Sequence, residues 1–334
     1  MSDAAFWMGA TLTTGTLSSL LMQKLTKVTG HPTAQVVTLV QYTGHFLYAA
    51  SRLYMSPRKI ALSTKQRNLS IIMGTCHVLG FIAAMPAIDR IGIALYQIIY
   101  SSGIVLLAFL GRVVLRKVPS LQQGLGIALV CAGLILRGYV MIEQGAVSLG
   151  GSASDTAIGV ALAFFVTLCF HLPPVLMEIA NKGLPNESKL TSIDVGMKVS
   201  TVGVVLLSLY VMLYTVPKWE VLMAQPLAES GTSYTTAGLW YLGNTALYIV
   251  HSTFFLETTR AAGSLGNGLV NAVRSATVVM IGAAIFCPTI SNMCLDAQKL
   301  ATVALLVTGG LVYTFAPPAV YLEDRKTVEE KKTK

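Results

Sequence analysis

Ten apolar stretches dominate the sequence, and each is about as long as the hydrocarbon core of a bilayer is thick. A backbone amide finds no water inside hydrocarbon, so each stretch must satisfy its own hydrogen bonds, which a helix does. The sequence therefore predicts an all-α polytopic membrane protein with ten transmembrane helices. The predicted spans are residues 4–22, 34–49, 69–87, 92–110, 121–136, 157–180, 195–214, 237–255, 264–286 and 300–315.

The composition supports this class and argues against two others. Hydrophobic residues make up 54% of the chain and charged residues only 12%, which is far from the balance of a soluble globular protein. A transmembrane β-barrel would show apolar residues alternating with polar ones. The chain lacks that alternation, so helices remain the expected spanning structure.

The basic residues predict the orientation. Sixteen Lys and Arg residues lie in the breaks on one side of the predicted spans and six lie on the other. Basic residues of short loops stay in the cytosol, so both termini are predicted to be cytosolic. The net charge of +9 comes largely from these flanking residues. Because no aromatic residues are interleaved with them, they favour contact with lipid headgroups over binding of nucleic acid.

The second half of the chain resembles the first. A shift of 176 positions aligns the fourth and fifth spans with the ninth and tenth, and it matches Gln122 with Gln298, Ala128 with Ala304, Leu129 with Leu305 and Gly133 with Gly309. Because five is odd, a five-plus-five duplication gives an inverted repeat. The predicted units are residues 1–145, a Gly- and Ser-rich connection at 146–155, residues 156–316 and a charged cytosolic tail at 317–334. The alternative is that apolar helices align by composition alone.

Short motifs resemble those of a known family. Residues 95–98, 107–112 and 121–126, together with Gly133, are similar to the fourth and fifth helices of the drug/metabolite transporter superfamily, and residues 271–279 and 309–313 resemble its ninth and tenth. Within it, the chain resembles solute carrier family 35, which includes the nucleotide-sugar transporters, and the chloroquine-resistance-type transporters. The resemblance implies a carrier whose central cavity opens alternately to either face. It also implies that the fifth and tenth helices lie outside, where they would support a homodimer.

An arginine in the middle of the ninth span is the clearest candidate for binding a solute. Arg274 follows Asn267 and Asn271 at helical spacing, so the three side chains share one stripe. A charged side chain in hydrocarbon is costly and usually faces the bundle interior, where a guanidinium suits phosphate or carboxylate. The alternative is a structural arginine that is neutralised by a helix end or by Glu257.

Three side chains of the fourth span form a second stripe. Tyr96, Gln97 and Tyr100 are spaced by three and four residues, so they share one helical face. Their aromatic rings suit stacking of a base or contact with a cation, and their polar tips suit its orientation. The alternative is interhelical hydrogen bonding that only holds the bundle together.

Four histidines lie within spans, namely His45, His77, His171 and His251. Each is either a proton-transfer group or a neutral hydrogen-bonding core residue. Pro173 and Pro174 follow His171 and interrupt backbone hydrogen bonds, so a kink is expected there in the sixth span. The candidates for gating or proton transfer are therefore His45, His171, Pro173 and Pro174.

No motif predicts catalysis or a bound cofactor. The chain has no HExxH, GxSxG or CxxC, so we expect no enzyme, no metal and no cofactor. Cys287 and Cys294 flank one break and would pair only if that loop faces an oxidising lumen. The GSLGNG run at residues 263–268 is predicted to be a loop and a site of close packing.

The chain ends in a pair of lysines suited to a targeting signal. Lys331 and Lys332 stand fourth and third from the end, and they resemble the dilysine retrieval signal that coat proteins read in the cytosol. The resemblance implies a protein of the endoplasmic reticulum and Golgi. The alternative is a solvated charged tail without a receptor.

Together these features predict a secondary-active carrier that exchanges an organic metabolite by alternating access. A nucleotide sugar or other phosphorylated solute is expected, with its phosphate on Arg274 and its base on Tyr96 and Tyr100. A nucleotide diphosphate is expected to need more than one buried cation, and only Arg274 is central in a span, because Lys198 and Lys24 lie near span ends. The alternative is therefore a carrier of small amines, drugs or other non-phosphorylated solutes, in which Arg274 is structural.

Overall fold

A computed structural model describes residues 3–56, 61–143, 153–286, 296–317 and 320–321, and most of them are helical. The helices are α1 (Asp3–Val28), α2 (Val36–Met55), α3 (Thr64–Ser101), α4 (Gly103–Val113), α5 (Leu121–Glu143), α6 (Ala153–Asn181), α7 (Ser192–Tyr210), α8 (Gln225–Glu229), α9 (Tyr234–Phe286) and α10 (Ala297–Thr314). Short turns of π- and 3-10 helix continue α7 to α8. Strands β1 (Lys117–Val118) and β2 (Val320–Tyr321) pair antiparallel.

Five of the described helical segments are long and apolar enough to cross a membrane, by length and composition. They are Thr64–Ile91, Leu121–Tyr139, Ser154–Asn181, Ser192–Lys218 and Ala297–Thr314. The described chain is thus helical and compatible with a multi-pass membrane protein. The helices α1, α2 and α9 are also long, but they carry several polar side chains.

Polar side chains gather inside the bundle and large apolar ones cover its outside. Buried polar residues include Thr11, Gln41, His171, Asn244 and Asn267, whereas Leu47, Phe109, Ile135, Phe164 and Leu242 are exposed. A protein dissolved in water shows the opposite tendency. The distribution suits a molecule whose surroundings are hydrocarbon and whose polar groups pair with one another.

Side-chain caps define where several helices begin. Ser63 and Gln66 form a capping box at the start of α3, and Thr191 and Asp194 form one at the start of α7. Each box satisfies backbone amides that have no partner within the helix. Gln66 also donates from Nε2 to Ser188 O at 2.8 Å. This bond joins the start of α3 to the connection between α6 and α7.

The long helix α9 reverses at Gly263. This glycine has a φ of 77° and a ψ of 176°, which interrupts the helix. Asn267 Nδ2 donates to Phe255 O at 3.3 Å, although a straight helix would separate these residues by about 18 Å. The two halves of α9 therefore pack against each other, as separate eighth and ninth spans require. The predicted loop at residues 263–268 is wrong in extent, because the chain is helical again from Ser264.

Helix α3 reverses as well, and its neighbours on α6 show where. Cys169 lies against Gly80, Gly159 against Ile91 and His171 against Gly103. The chain thus runs antiparallel to α6 as far as Ile91 and then returns beside it. The reversal follows the break that the sequence predicts between the third and fourth spans. Helix α4 continues the returning segment after Ser102.

The most extensive helix contacts join one half of the chain to the other. Helix α1 packs on α9, α3 on α6, α2 on α7 and α5 on α10. The backbones of α5 and α10 meet at glycines, because a Cβ on Gly126 would stand 2.7 Å from Gly309 O. Residues 146–152 of the predicted connection lie outside the described residues. Helix α6 begins at Ala153, within the last part of that predicted connection.

Replacing Gly263 by Ala should destabilise the protein by about 1–3 kcal/mol, because its backbone conformation is accessible almost only to glycine. The new Cβ would also stand 3.0 Å from Glu178 Oε1. Unfolding of the detergent-purified protein measures the loss. Gly238→Ala is the matched control, since open space surrounds that helical glycine and alanine favours helix. Equal stability of the two variants would contradict the role assigned to Gly263.

Candidate functional site

Arg274 lies half-buried in the second half of α9, beside a glycine of α1. A Cβ on Gly15 would stand 2.9 Å from Arg274 Cδ and 2.9 Å from His251 Cε1. The arginine and the imidazole are therefore neighbours over this glycine. His251 precedes the reversal of α9 by nearly as many residues as Arg274 follows it. The charge of Arg274 also acts on Tyr96 and His171.

Glu257 is not the partner of Arg274. Its carboxylate accepts two hydrogen bonds from Arg260 Nη1, at 2.7 and 3.0 Å. Within the described residues, no acidic side chain forms an ion pair with Arg274. The interpretation of Arg274 as a structural partner of Glu257 is therefore wrong.

Tyr96 and Tyr100 stack on the returning part of α3. Their ring centroids are 6.1 Å apart and the ring planes differ by 15°. The Tyr100 ring also contacts His171, with centroids 5.2 Å apart. The tyrosine stripe and Arg274 thus belong to one region of the interior. The side chain of Gln97 lies outside the part of the chain that the structure describes.

The two asparagines of the predicted stripe are buried. Asn267 Nδ2 donates to Thr259 Oγ1 at 2.7 Å, in addition to its bond with Phe255 O, so this side chain braces the reversal of α9. Its Oδ1 has no hydrogen-bond partner among the described residues. Asn271 lies one turn further along the same helix, towards Arg274. The amide of Asn267 is thus partly engaged by the fold itself.

Hydrogen bonds assign the tautomers of two interior histidines. Thr14 Oγ1 lies 2.8 Å from Ala10 O and 3.0 Å from His251 Nδ1, and we assign its one proton to the shorter contact, which makes the hydroxyl an acceptor for His251 Nδ1. His171 Nδ1 lies 2.8 Å from Thr167 O, and a carbonyl oxygen can only accept. Both neutral rings therefore carry their proton on Nδ1. Each is left with Nε2 as an unprotonated acceptor.

His45 lies in a different part of the interior, beside a cavity of about 40 Å³. His77, Pro173 and Pro174 line the same cavity, which has room for water but not for an organic solute. His45 Nε2 contacts Ser252 Oγ at 3.3 Å, and its Nδ1 has no partner among the described residues. Helix α6 remains helical through Pro173 and Pro174. The structure thus groups the proline pair with His45, not with Arg274.

A much larger cavity, of about 980 Å³, opens at the end of the bundle where α6 ends and α9 reverses. We call it the vestibule. Its basic lining residues are Lys117, Lys182, Lys189 and Arg260, and its acidic lining residue among the described positions is Glu178. The excess of positive charge attracts anions and raises their local concentration.

Glu178 holds three parts of the vestibule together. Its Oε2 accepts from Lys117 Nζ in the connection between α4 and α5. Its Oε1 accepts from the backbone N–H of Ser264, the first amide after Gly263. A carboxylate at this position caps the helix that begins there and complements its dipole. The charge of Glu178 is thus engaged by a helix end and by a lysine.

The opposite end of the bundle is joined by hydrogen bonds around the connection between α1 and α2. Tyr210 Oη donates to Thr33 O at 3.0 Å, Thr215 Oγ1 to Ala34 O at 2.7 Å, and the His31 N–H to Leu222 O at 2.7 Å. Tyr241 Oη donates to Thr29 O as well. These bonds hold residues 29–34 against the segment that follows α7. The bundle therefore has one wide end and one hydrogen-bonded end.

The sequence alone does not indicate the roles of three residues of this region. Gly15 and Thr14 acquire their roles only because α1 packs on α9. Glu178 stands near the end of an apolar stretch, like many membrane-flanking charges, and the sequence does not show its contact with Ser264. The targeting candidates, Lys331 and Lys332, lie outside the described residues. Within those residues, no group of three His, Cys, Asp or Glu side chains is arranged to hold a metal ion.

Comparison with known proteins shows the fold alone. No protein-family model matches the chain, and no curated protein matches it. A solved structure described as "Crystal structure of protein" aligns with a TM-score of 0.61 and 12% sequence identity. The alignment covers 93% of this chain and 96% of that one. A likeness at this identity extends to the arrangement of helices and not to the function.

Nitrogen NMR of protein labelled at histidine should show His171 and His251 as neutral Nδ1–H tautomers. The carbonyl beside His171 can only accept, and the hydroxyl beside His251 is assigned as a donor to Ala10 O. Ser252 Oγ donates to Ile249 O, so His45 should be the opposite, Nε2–H, tautomer. Single His→Asn variants assign the signals. An Nε2–H signal from His251 would contradict the hydrogen-bond assignment.

Proposed function

We propose that the protein is a secondary carrier that exchanges an anionic organic solute across a membrane by alternating access. The solute class is a phosphorylated metabolite, with a nucleotide sugar as the first choice. The observation that carries the proposal is Arg274, a cation in the interior of the bundle with no ion pair among the described residues. Such a charge is costly until an anion joins it.

The surroundings of Arg274 suit the rest of such a solute. Tyr96 and Tyr100 provide an aromatic surface within reach of the arginine's charge. Buried aromatic rings suit a nucleobase, and the guanidinium suits a phosphate. A diphosphate is expected to need more than one buried cation, and the described interior offers Arg274. Four further basic side chains line the vestibule, where they would attract an anionic solute.

The helix contacts support a ten-span, five-plus-five inverted repeat. In such a repeat α1 corresponds to α6, α2 to α7, the folded-back α3 to α9, and α5 to α10. If each helix is replaced by its counterpart in the other half, the α1–α9 contact becomes the α6–α3 contact. The α2–α7 and α5–α10 contacts become themselves. The reversals of α3 and α9 also fall at related places. Two copies of one unit would produce this pattern.

The difference between the two ends of the bundle supports alternating access. The vestibule gives one end a wide opening, whereas hydrogen bonds join the other end around residues 29–34. In the orientation that the basic residues predict, the vestibule faces the cytosol. We therefore propose that the structure corresponds to a carrier open towards the cytosol.

Arg274→Gln should abolish stabilisation of the purified protein by phosphorylated solutes, because it removes the charge and the paired donors. The measurement is the melting temperature against nucleotides, nucleotide sugars, phosphorylated sugars, amines and drugs, since a specific ligand raises it by mass action. Arg67→Gln is the matched control, because Arg67 is exposed at the start of α3. A shift with amines or drugs alone would refute the anion proposal and favour the alternative carrier class.

We also propose residence in the endoplasmic reticulum and Golgi, on the basis of Lys331 and Lys332 alone. Replacing both with Ser should redistribute a tagged protein beyond the Golgi, because coat proteins would no longer retrieve it. Fluorescence microscopy of the tagged protein measures the distribution. The control replaces Arg325 and Lys326 with Ser, which removes two tail charges and leaves the lysine pair intact. An unchanged distribution of the Lys331/Lys332 variant would refute the targeting role.

A further inference from the structure

We propose that the carrier takes up one proton together with its anionic solute, on the Nε2 atom of His251. The inference rests on the proposed function, because it names the ion that accompanies the solute. It makes the protein a proton-coupled carrier in which the proton and the anion travel in the same direction.

The hydrogen bonds of His251 leave only one atom able to accept a proton. With the proton of Thr14 Oγ1 assigned to its shorter contact, Ala10 O, the hydroxyl accepts from the Nδ1–H of His251. The neutral ring accordingly presents Nε2 with a free lone pair. A proton that joins Nε2 converts imidazole to imidazolium without disturbing the bond to Thr14. No rearrangement of α1 is needed for the change.

The neighbouring arginine links this proton to the solute. Arg274 and His251 both lie against Gly15, so an imidazolium would stand beside a guanidinium. Two adjacent positive charges repel each other, and they repel most strongly where water is excluded. An anion bound to Arg274 replaces that repulsion with attraction to both cations. Solute binding therefore favours protonation of His251, and protonation favours the solute by the same factor.

Other titratable and charged groups near the site do not replace this coupling. The second half of α9 contributes Arg274, and α6 contributes His171. Helix α3 contributes the rings of Tyr96 and Tyr100. Near His251, α1 presents Thr14 and Gly15, which do not titrate. Among the described residues, no carboxylate contacts this group to hold a proton in place of His251.

His45 is a weaker candidate for the same role. It also presents an unprotonated nitrogen, Nδ1, but its neighbours are Ser252 and the water-sized cavity. An anionic solute does not fit beside it, so its protonation would not respond to the solute. His171 has the same Nδ1–H tautomer as His251 and lies near the charge of Arg274. Unlike His251, it does not share the contact with Gly15, so it serves as a comparison in the test.

The proton balance is simple. The proton comes from the solvent on the side from which the solute binds, bonds to Nε2 and leaves when the solute leaves on the other side. No bond of the solute is made or broken. A carrier of this kind moves one more positive charge with each anion than an uncoupled carrier would, so a proton gradient drives accumulation of the solute.

Calorimetric titration of the detergent-purified protein with UDP-glucose tests the inference. The diphosphate of this probe is fully ionised near pH 7, so any proton taken up enters the protein. Titrations in two buffers with different heats of ionisation give the number of protons per bound solute. We expect about one proton at pH 7. We also expect the affinity to fall by as much as about tenfold for each unit of rising pH.

His251→Asn is the diagnostic variant, because its amide can still donate to Thr14 but cannot accept a proton. It should bind UDP-glucose without proton uptake and with an affinity that is nearly independent of pH. His251→Gln provides a second variant if the first does not fold. His31→Asn is the control, since His31 is exposed in the connection between α1 and α2, and it should behave like the wild type.

The outcomes separate the two proposals. Binding without proton uptake in the wild type would overturn proton coupling and leave the anion carrier standing. Proton uptake that persists in His251→Asn and disappears in His171→Asn would overturn the assignment to His251. Failure to bind UDP-glucose and every phosphorylated compound of the melting-temperature panel would overturn the anion site itself, and the inference with it.

Discussion

The described structure depends on one constraint, which is that its outer surface is apolar and offers no partner to a polar group. Threonine and serine hydroxyls in the helices therefore donate to carbonyl oxygens one turn back, as Thr14 and Ser200 do. Such bonds use the only proton of the hydroxyl and leave its lone pairs as acceptors. The Nδ1–H tautomer assigned to His251 follows from this, because Thr14 Oγ1 then offers the ring a lone pair. Other buried hydroxyls, those of Thr245 and Thr302, have no hydrogen-bond partner among the described residues.

Against this background, unsatisfied groups are informative. Arg274 has no counter-ion among the described residues, and Asn267 Oδ1 and His45 Nδ1 have no hydrogen-bond partner there. A buried polar group without a partner is costly, so it is retained where something else supplies the partner. Water can serve His45 beside its small cavity. For Arg274 an anion is the appropriate partner, and this is why the function is proposed from that residue.

Much of the helical organisation could be predicted from the sequence, because hydrophobic length is a local property. The starts of α5, α6 and α10 lie within about four residues of the predicted spans. The separation of the eighth and ninth spans at Gly263 was also accessible, although the GSLGNG run suggested a longer loop. Helical spacing correctly placed Tyr96 beside Tyr100. These features depend on residues that are close together in the chain.

The parts that could not be predicted depend on residues that are far apart. Gly15 matters because α1 meets both halves of α9, and Glu178 matters because α6 ends beside Ser264. Nothing in the local sequence specifies either meeting. The pairing of Glu257 with Arg260, not with Arg274, is a choice among neighbours that only the packed structure makes. The solute of the proposed carrier leaves still less trace in the sequence, since its identity would depend on the shape of a cavity.

The reversal at Gly263 also bears on how the chain enters a membrane. A lone helix with an arginine at its centre inserts poorly, at a cost of about 2.5–3.5 kcal/mol for that residue. The segment with Arg274 emerges from the ribosome directly after the segment with His251 and Phe255, and α9 folds back on itself between the two. The two segments can enter as a hairpin, with Asn267 already bonded across it. Gly263 thus lets the segment with Arg274 be inserted together with the segment of α9 that packs against it.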